Sequence, residues 1–239
     1  MKDLKVGTCG FPVSMKKLFA SVDAVETQKT FYTPVDEKTL SRWRTSAPET
    51  LEFTVKALQV ITHPSSSPTY RRFRGEIGNR ENFGFFRDTD EVKRAMELTL
   101  KSASILNARV IVFQTPASFK PTDENIENLL RFFEEWRGDL VYTLELRGNW
   151  DETKIKEIIE KTGVSHAVDP FKNRYLGGEI AYFRLHGRGK GYRYEYTAED
   201  FEELAGMIPA DRPVYVMFNN TNMFNDALKF KEFLKSHST

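Results

Sequence analysis

The side chains able to do chemistry recur at the ends of strand-like runs. Glu26 with Gln28, Lys56, Gln114, Glu145 with Arg147, Asp169, Arg184 with His186, and Asn219 each close a short segment rich in apolar residues. The clearest run is VYTLELRGNW at residues 141–150. Its alternation puts Val141, Thr143, Glu145 and Arg147 on one face, and Tyr142, Leu144 and Leu146 on the other. A strand that is apolar outward and ends inward in a carboxylate and a guanidinium suits a closed barrel, with helices outside and polar groups gathered at one mouth.

Within that set, His186, Glu145, Lys56 and His63 are the acid–base candidates. Histidine titrates near neutral pH, and a carboxylate or lysine can be tuned by such neighbours. Glu26, Gln114, Arg147, Asp169 and Arg184 are candidate substrate contacts. Three carboxylates (Glu26, Glu145, Asp169) face three cations (Lys56, Arg147, Arg184). The same residues therefore also fit a neutral ion-pair network that closes the barrel top. Arg147 and Arg184 are its first structural members.

The run GRGKG at residues 187–191 follows the seventh strand candidate. Its glycines let backbone N–H groups turn towards an anion, Arg188 and Lys190 add charge, and Asn219 and Asn220 lie after the eighth strand. Barrels often hold phosphate there, although a solvent loop has the same composition. Residues 70–74 and 188–196 interleave cations with aromatic rings, the pairing that a nucleic-acid groove uses, and solvated loops read alike. Glu26, His63, Glu145, Asp169 and His186 could donate to a metal. No H-x-H, H-x-x-x-H or H-E spacing supports one, and three cations in the same space oppose it, so no metal is assigned and the cofactor is left open. Cys9 is expected to be a small buried residue. His166, at the start of a strand and so at the opposite barrel end, and His237 in the tail are given no role.

Eight strand candidates position these residues: 4–10, 22–31, 51–57, 109–114, 141–147, 165–169, 180–186 and 214–219. Helices are expected over 36–45, 91–107, 123–136, 151–162, from Thr197, and over 222–236, with one turn near Met15–Phe19. Thr197 and Asp200 make a capping-box pattern. Residues 61–89 form a polar loop long enough to be functional or disordered. Only about ten residues separate the sixth and seventh strands, too few for a covering helix. The expected fold is α/β: a single (β/α)8 TIM-barrel-like domain over residues 1–239, with irregular helix coverage near strands one and six. An open doubly wound sheet is the alternative, disfavoured by the lack of a G-x-G-x-x-G or P-loop run after the first strand.

A net charge of +1 supplies no global field for nucleic acid or membrane, and no apolar run approaches the length of a membrane span. One cysteine precludes an intrachain disulfide, and the first strand starts too early for a signal peptide. The expected location is cytoplasmic.

The ordered set of short motifs resembles the YecE-like family, Domain of Unknown Function 72, essentially end to end. The matching stretches are GTCGF (7–11), VETQKTFY (25–32), FTVKA with ITH (53–63), FQTP (113–116), LELRGNW (144–150), YFRLHGR (182–188) and FNN (218–220). VETQ stands where the family usually has VEIN, and Phe11 where a tryptophan is common. The resemblance implies a TIM-barrel-like fold and no established activity. In outline the barrel is also similar to metal-dependent barrels acting on sugars or abasic DNA, a likeness of fold only. The expected function is an enzyme, a hydrolase or lyase, acting on a small anionic, phosphate-bearing ligand by acid–base chemistry at the mouth. A variant makes Lys56 an imine-forming nucleophile. The alternatives are an endonuclease-like barrel that binds or processes nucleic acid, and a non-catalytic module whose partner docks on the long loop.

Overall fold

A computed structural model describes residues 3–189 and 191–237. Strands β1 (Leu4–Cys9), β2 (Ala24–Thr27), β3 (Glu52–Lys56), β4 (Val110–Gln114), β5 (Val141–Glu145), β6 (Ser165–Val168), β7 (Ala181–Leu185) and β8 (Val214–Phe218) pair in sequence order. All are parallel, and β8 pairs with β1 to close the barrel. Around them lie α1 (Met15–Phe19), α2 (Lys29–Tyr32), α3 (Glu37–Ser46), α4 (Gln59–Thr62), α5 (Asp90–Leu106), α6 (Asp123–Glu135), α7 (Glu152–Thr162), α8 (Ala198–Met207) and α9 (Met223–Ser236). Coverage is thin where expected: β1 is followed by the five-residue α1, and no helix joins β6 to β7.

Alternation divides each strand between two cores. Val25, Phe53, Val55, Ile111, Phe113, Leu144, Phe183 and Phe218 pack outward under the helices. Cys9, Ala24, Val110, Val112, Ala167, Tyr182 and Met217 fill the barrel axis. Side chains on that inner face end, one layer higher, in the charged groups of the mouth.

Helix starts follow local chemistry. Thr89, Thr122 and Asp151 accept hydrogen bonds from first-turn amides of α5, α6 and α7. Thr197 and Asp200 form the complete capping box of α8.

Three expectations are corrected. The second strand stops at Thr27 and does not run to Phe31. The Thr30 hydroxyl lies 2.6 Å from the Thr27 carbonyl and 2.8 Å from that of Lys56, drawing the chain into α2 over the end of β3. The long segment 61–89 is neither a solvated loop nor disordered. Short 3-10 turns at Pro68–Arg72 and Arg80–Asn82 hold it, and Tyr70, Phe73, Ile77, Phe83 and Phe86 are buried. Gly84 lets it close on the barrel: with φ +85°, a Cβ there would lie 2.4 Å from the His63 carbonyl carbon. His166 is not at the far end of the barrel. β6 is so short that His166 pairs with Leu144, one residue below Glu145.

Gly7 allows β1 and β2 a close approach, since a Cβ there would stand 2.1 Å from the Ala24 carbonyl oxygen across the β1–β2 pair. Gly7→Ala is expected to lower the unfolding free energy by about 2 kcal/mol through overpacking. Urea unfolding measures this, and an unchanged midpoint would contradict the close approach.

Candidate active site at the barrel mouth

Arg184, on the inner face of β7, sits at the centre of the charges with none of its side chain exposed. Its guanidinium grips Glu26 of β2 by two hydrogen bonds, Nε to Oε2 at 3.0 Å and Nη2 to Oε1 at 2.7 Å. Nη1 donates to Glu145 of β5 and, at 2.8 Å, to the Gln114 amide oxygen on β4. One planar cation thus ties four strands together at the level where the barrel ends. Tyr182, two residues below on the same face, donates to Glu26 at 3.0 Å and lies 2.7 Å from the Thr54 hydroxyl.

Burial by itself raises a carboxylate pKa, but the Arg184 and Lys56 charges outweigh it at Glu26 and hold that group below its usual range. Burial also opposes ionisation of Glu145, and Arg184, Arg147 and His186 overcome it and hold its pKa well below the ordinary value. Both carboxylates are therefore ionised acceptors at neutral pH.

Lys56 has a different environment. Its Nζ donates to the Gln114 oxygen at 3.0 Å and the Gln28 oxygen at 3.5 Å, and lies 4.2 Å above the Phe31 ring. Gln28 in turn donates to Glu26. Burial and then the Arg184 charge push the Lys56 ammonium down to about 7, against the pull of Glu26 and Glu145.

Across the mouth, His186 forms a separate unit with Asp169 and Arg147. Arg147 Nη2 lies 2.8 Å from His186 Nε2. A guanidinium only donates, so Nε2 accepts and the network assigns the ring proton to Nδ1, which faces Asp169 Oδ2 at 3.4 Å. The same Asp169 oxygen accepts the His186 backbone N–H at 3.1 Å. Arg147 Nε approaches Glu145 Oε1 to 2.5 Å without the angle of a hydrogen bond. Burial, together with the Arg184 and Arg147 charges, lowers the His186 pKa despite Asp169 and Glu145, so the ring is neutral at pH 7. A cleft of about 120 Å³ opens beside this unit, lined by Glu145, Arg147, Asp169, Lys172, Arg174 and His186.

The remaining predicted residues that are described lie apart from that cleft. His63 is buried, with Nδ1 2.8 Å from the Thr62 hydroxyl and its ring 5.0 Å from Phe31. Burial, then Lys56 and Arg147, push its pKa down to about 3. Arg188 pairs with Asp200 at 2.8 Å and with Glu203, and lies over the Phe171 ring. Lys190 lies outside the described residues. Asn220 is buried and donates to Asp226 and to the Tyr194 carbonyl, both at 2.6 Å, while the Asn219 N–H closes onto Leu185. These residues fasten the loops after β7 and β8 to each other. The Tyr70 ring is buried with its hydroxyl on the His63 carbonyl, which withdraws it from base stacking. Among the described residues, no group of three or more His, Cys, Asp or Glu is placed to hold a metal ion.

Sequence reasoning passed over Tyr182 and Lys172, and took Tyr192 only as part of a nucleic-acid loop, not as a neighbour of His186. Tyr182 was readable, since it alternates with Arg184 and His186 in YFRLH. Lys172, 3.3 Å from Asp169, and Tyr192, a half-exposed ring 5.8 Å from that of His186, come from irregular segments that carry no periodic signal.

A closed barrel of eight parallel strands with a charged C-terminal mouth defines a TIM barrel. Residues 14–238 match the family model described as a protein of unknown function, DUF72, and the chain belongs to that family. It is similar to a DUF72 family protein from Enterococcus faecalis, with a TM-score of 0.74 and 20% identity over 98% of each chain. A DUF72 family protein from Thermotoga maritima gives a TM-score of 0.67 at 22% identity, covering 98% of this chain and 99% of that one. Endonuclease IV from Thermus thermophilus gives 0.51 at 8% identity over 98% of each chain, a likeness of fold. No curated protein matches the chain. No helix among the described residues is long and apolar enough to cross a membrane.

Two predictions test the charge network. Arg184→Met leaves buried Glu26 without its ion pair and Glu145 with Arg147 alone, and is expected to cost about 3–5 kcal/mol in urea unfolding. Adding Glu26→Gln is expected to restore at least about 1 kcal/mol, and strictly additive losses would contradict the pairing. The second concerns acid stability. Burial pushes His166 down to about 4 against the pull of Glu145. An unfolded histidine titrates near 6.5, so between those values the unfolded chain binds the extra proton, and stability is lost as pH falls. His166→Gln is expected to flatten the fall in urea midpoint between pH 6.5 and 4.5, by up to about 1.4 kcal/mol per unit. An unaltered slope would contradict a neutral buried ring.

Proposed function

We propose that this barrel is an acid–base enzyme for a small anionic, phosphate-bearing substrate, bound in the cleft beside His186 and cleaved by hydrolysis or elimination. The observation that carries the reading is the cap on the base. His186 is oriented by a carboxylate through Nδ1, and its Nε2 lone pair is covered by Arg147, whose side chain is 35% exposed. An anion entering the cleft competes for that guanidinium, with Lys172 as a second cation. Arg147 turning to the anion uncovers Nε2 as a proton acceptor at the moment that substrate is present.

The other roles follow from the same geometry. Asp169 positions the ring and favours the imidazolium once it forms. Glu145, held ionised by Arg184, keeps Arg147 in reach and is better suited to positioning than to proton transfer. Lys56, with a pKa of about 7, is the second group able to exchange a proton near neutral pH. Because Arg188 is committed to Asp200 and Glu203, Arg147 and Lys172 are the better anion contacts.

Inorganic phosphate tests the cap directly. With four histidines in the chain, the His186 imidazole is assignable by NMR in a His186→Asn comparison. Phosphate is expected to raise the His186 pKa in the wild type and to leave it unmoved in Arg147→Met. No phosphate-dependent change in the wild type would contradict the reading.

A further inference from the structure

Lys56 is the inner-face cation that has no carboxylate of its own. Arg184 takes Glu26 and Glu145, and Arg147 takes Glu145. No ion pair within 4.0 Å joins Lys56 to a carboxylate among the described residues. Its hydrogen bonds go instead to two amide oxygens, and its remaining side faces an aromatic ring. A lysine kept only for charge balance would pair with a carboxylate; this one is surrounded by neutral acceptors that hold either the ammonium or the free amine.

Its position adds to this. Lys56 is the last residue of β3, aimed inward at the barrel's C-terminal end. It lies beneath Gln28 and Gln114, which are both partly exposed at the mouth. Those two side chains cover the amine, and their amide oxygens occupy places where a substrate oxygen could be received. The fixed cation Arg184 stands on the far side of Gln114, 2.8 Å from the oxygen that Lys56 also contacts. A carbonyl oxygen taking that place would receive a hydrogen bond from Arg184 as the neutral Lys56 amine attacks its carbon.

We infer that Lys56 forms an imine with the substrate, which makes the substrate a small anionic aldehyde or ketone. This rests on the reading of the mouth as an anion-binding acid–base site and narrows its ligand. The Nζ lone pair forms the C–N bond while the carbonyl π pair moves to oxygen, giving a carbinolamine. Both amine hydrogens then leave with that oxygen as water, the nitrogen lone pair closing the C=N bond, so no outside oxidant or reductant is needed. The imine nitrogen, once protonated, withdraws electrons from the C=N carbon, and His186 serves as the base that removes a proton from the carbon next to it, leaving an enamine.

The test traps the imine. The full chain is incubated at pH 7 with glyoxylate or dihydroxyacetone phosphate and sodium cyanoborohydride, then mass-mapped by peptide. The expected result, with at least one of the two carbonyl compounds, is a saturable adduct at Lys56 formed at least tenfold faster than at any surface lysine. It disappears in Lys56→Arg and in Lys56→Met, whichever of these keeps the wild-type circular dichroism. His186→Asn is expected to retain the adduct, because carbinolamine formation draws its protons from Nζ. Labelling spread over exposed lysines with Lys56 unmodified, for both compounds, overturns the inference. That failure leaves the phosphate-dependent His186 titration standing, whereas loss of the titration with Lys56 still trapped would remove the anion reading alone.

Discussion

The structure depends on a single buried guanidinium. Arg184 spans the axis of the barrel at its C-terminal end, with Glu26, Gln114 and Glu145 around it, and none of its side chain reaches solvent. Three charged groups at that depth would be prohibitive in isolation. Together they satisfy most of one another's donors and acceptors, and the Arg184 charge adds to the effect of burial at Lys56 and His186. Glu26 and Glu145 are ionised because Arg184 is there, and Lys56 is pushed towards its neutral form partly for the same reason.

What Arg184 leaves unclaimed is where chemistry can occur. With both central carboxylates engaged, Lys56 has only amide oxygens and a ring, and Arg147 reaches past Glu145 to cover His186. The mouth thus divides into a rigid centre and two reactive flanks. One flank is a lysine under two glutamines. The other is an aspartate–histidine unit beside a cleft with movable cations.

Much of this was legible in the sequence. Period-two alternation in VYTLELRGNW and YFRLH put Glu145, Arg147, Arg184 and His186 on one face, and length and strand count led to the closed barrel. The near-neutral tally of charges already suggested a network. Pairing within it was not legible, because which cation takes which carboxylate depends on strand stagger in a closed barrel and on side-chain length. The end of β2 was missed because Thr27 and Thr30 bind locally and turn the chain, a three-dimensional arrangement with no periodic trace. The 61–89 segment reads as polar by composition, yet its scattered aromatic residues, Tyr70, Phe73, Phe83 and Phe86, cluster only once it folds back on the barrel. The glycines and cations after β7 looked like an anion loop because sequence does not show that Asp200 and Glu203 of α8 wait beside Arg188.

The central claim is that the Arg184-centred network keeps its carboxylates charged and leaves Lys56 with a readily neutralised amine. The most direct measurement is the titration of the Lys56 side chain itself, followed by NMR of its Cε and Nζ in selectively lysine-labelled protein. A midpoint near 7, well separated from the surface lysines, is the predicted result. A midpoint at the ordinary lysine value near 10.4 would contradict the account, since it would mean that burial and the Arg184 charge do not outweigh the pull of Glu26 and Glu145.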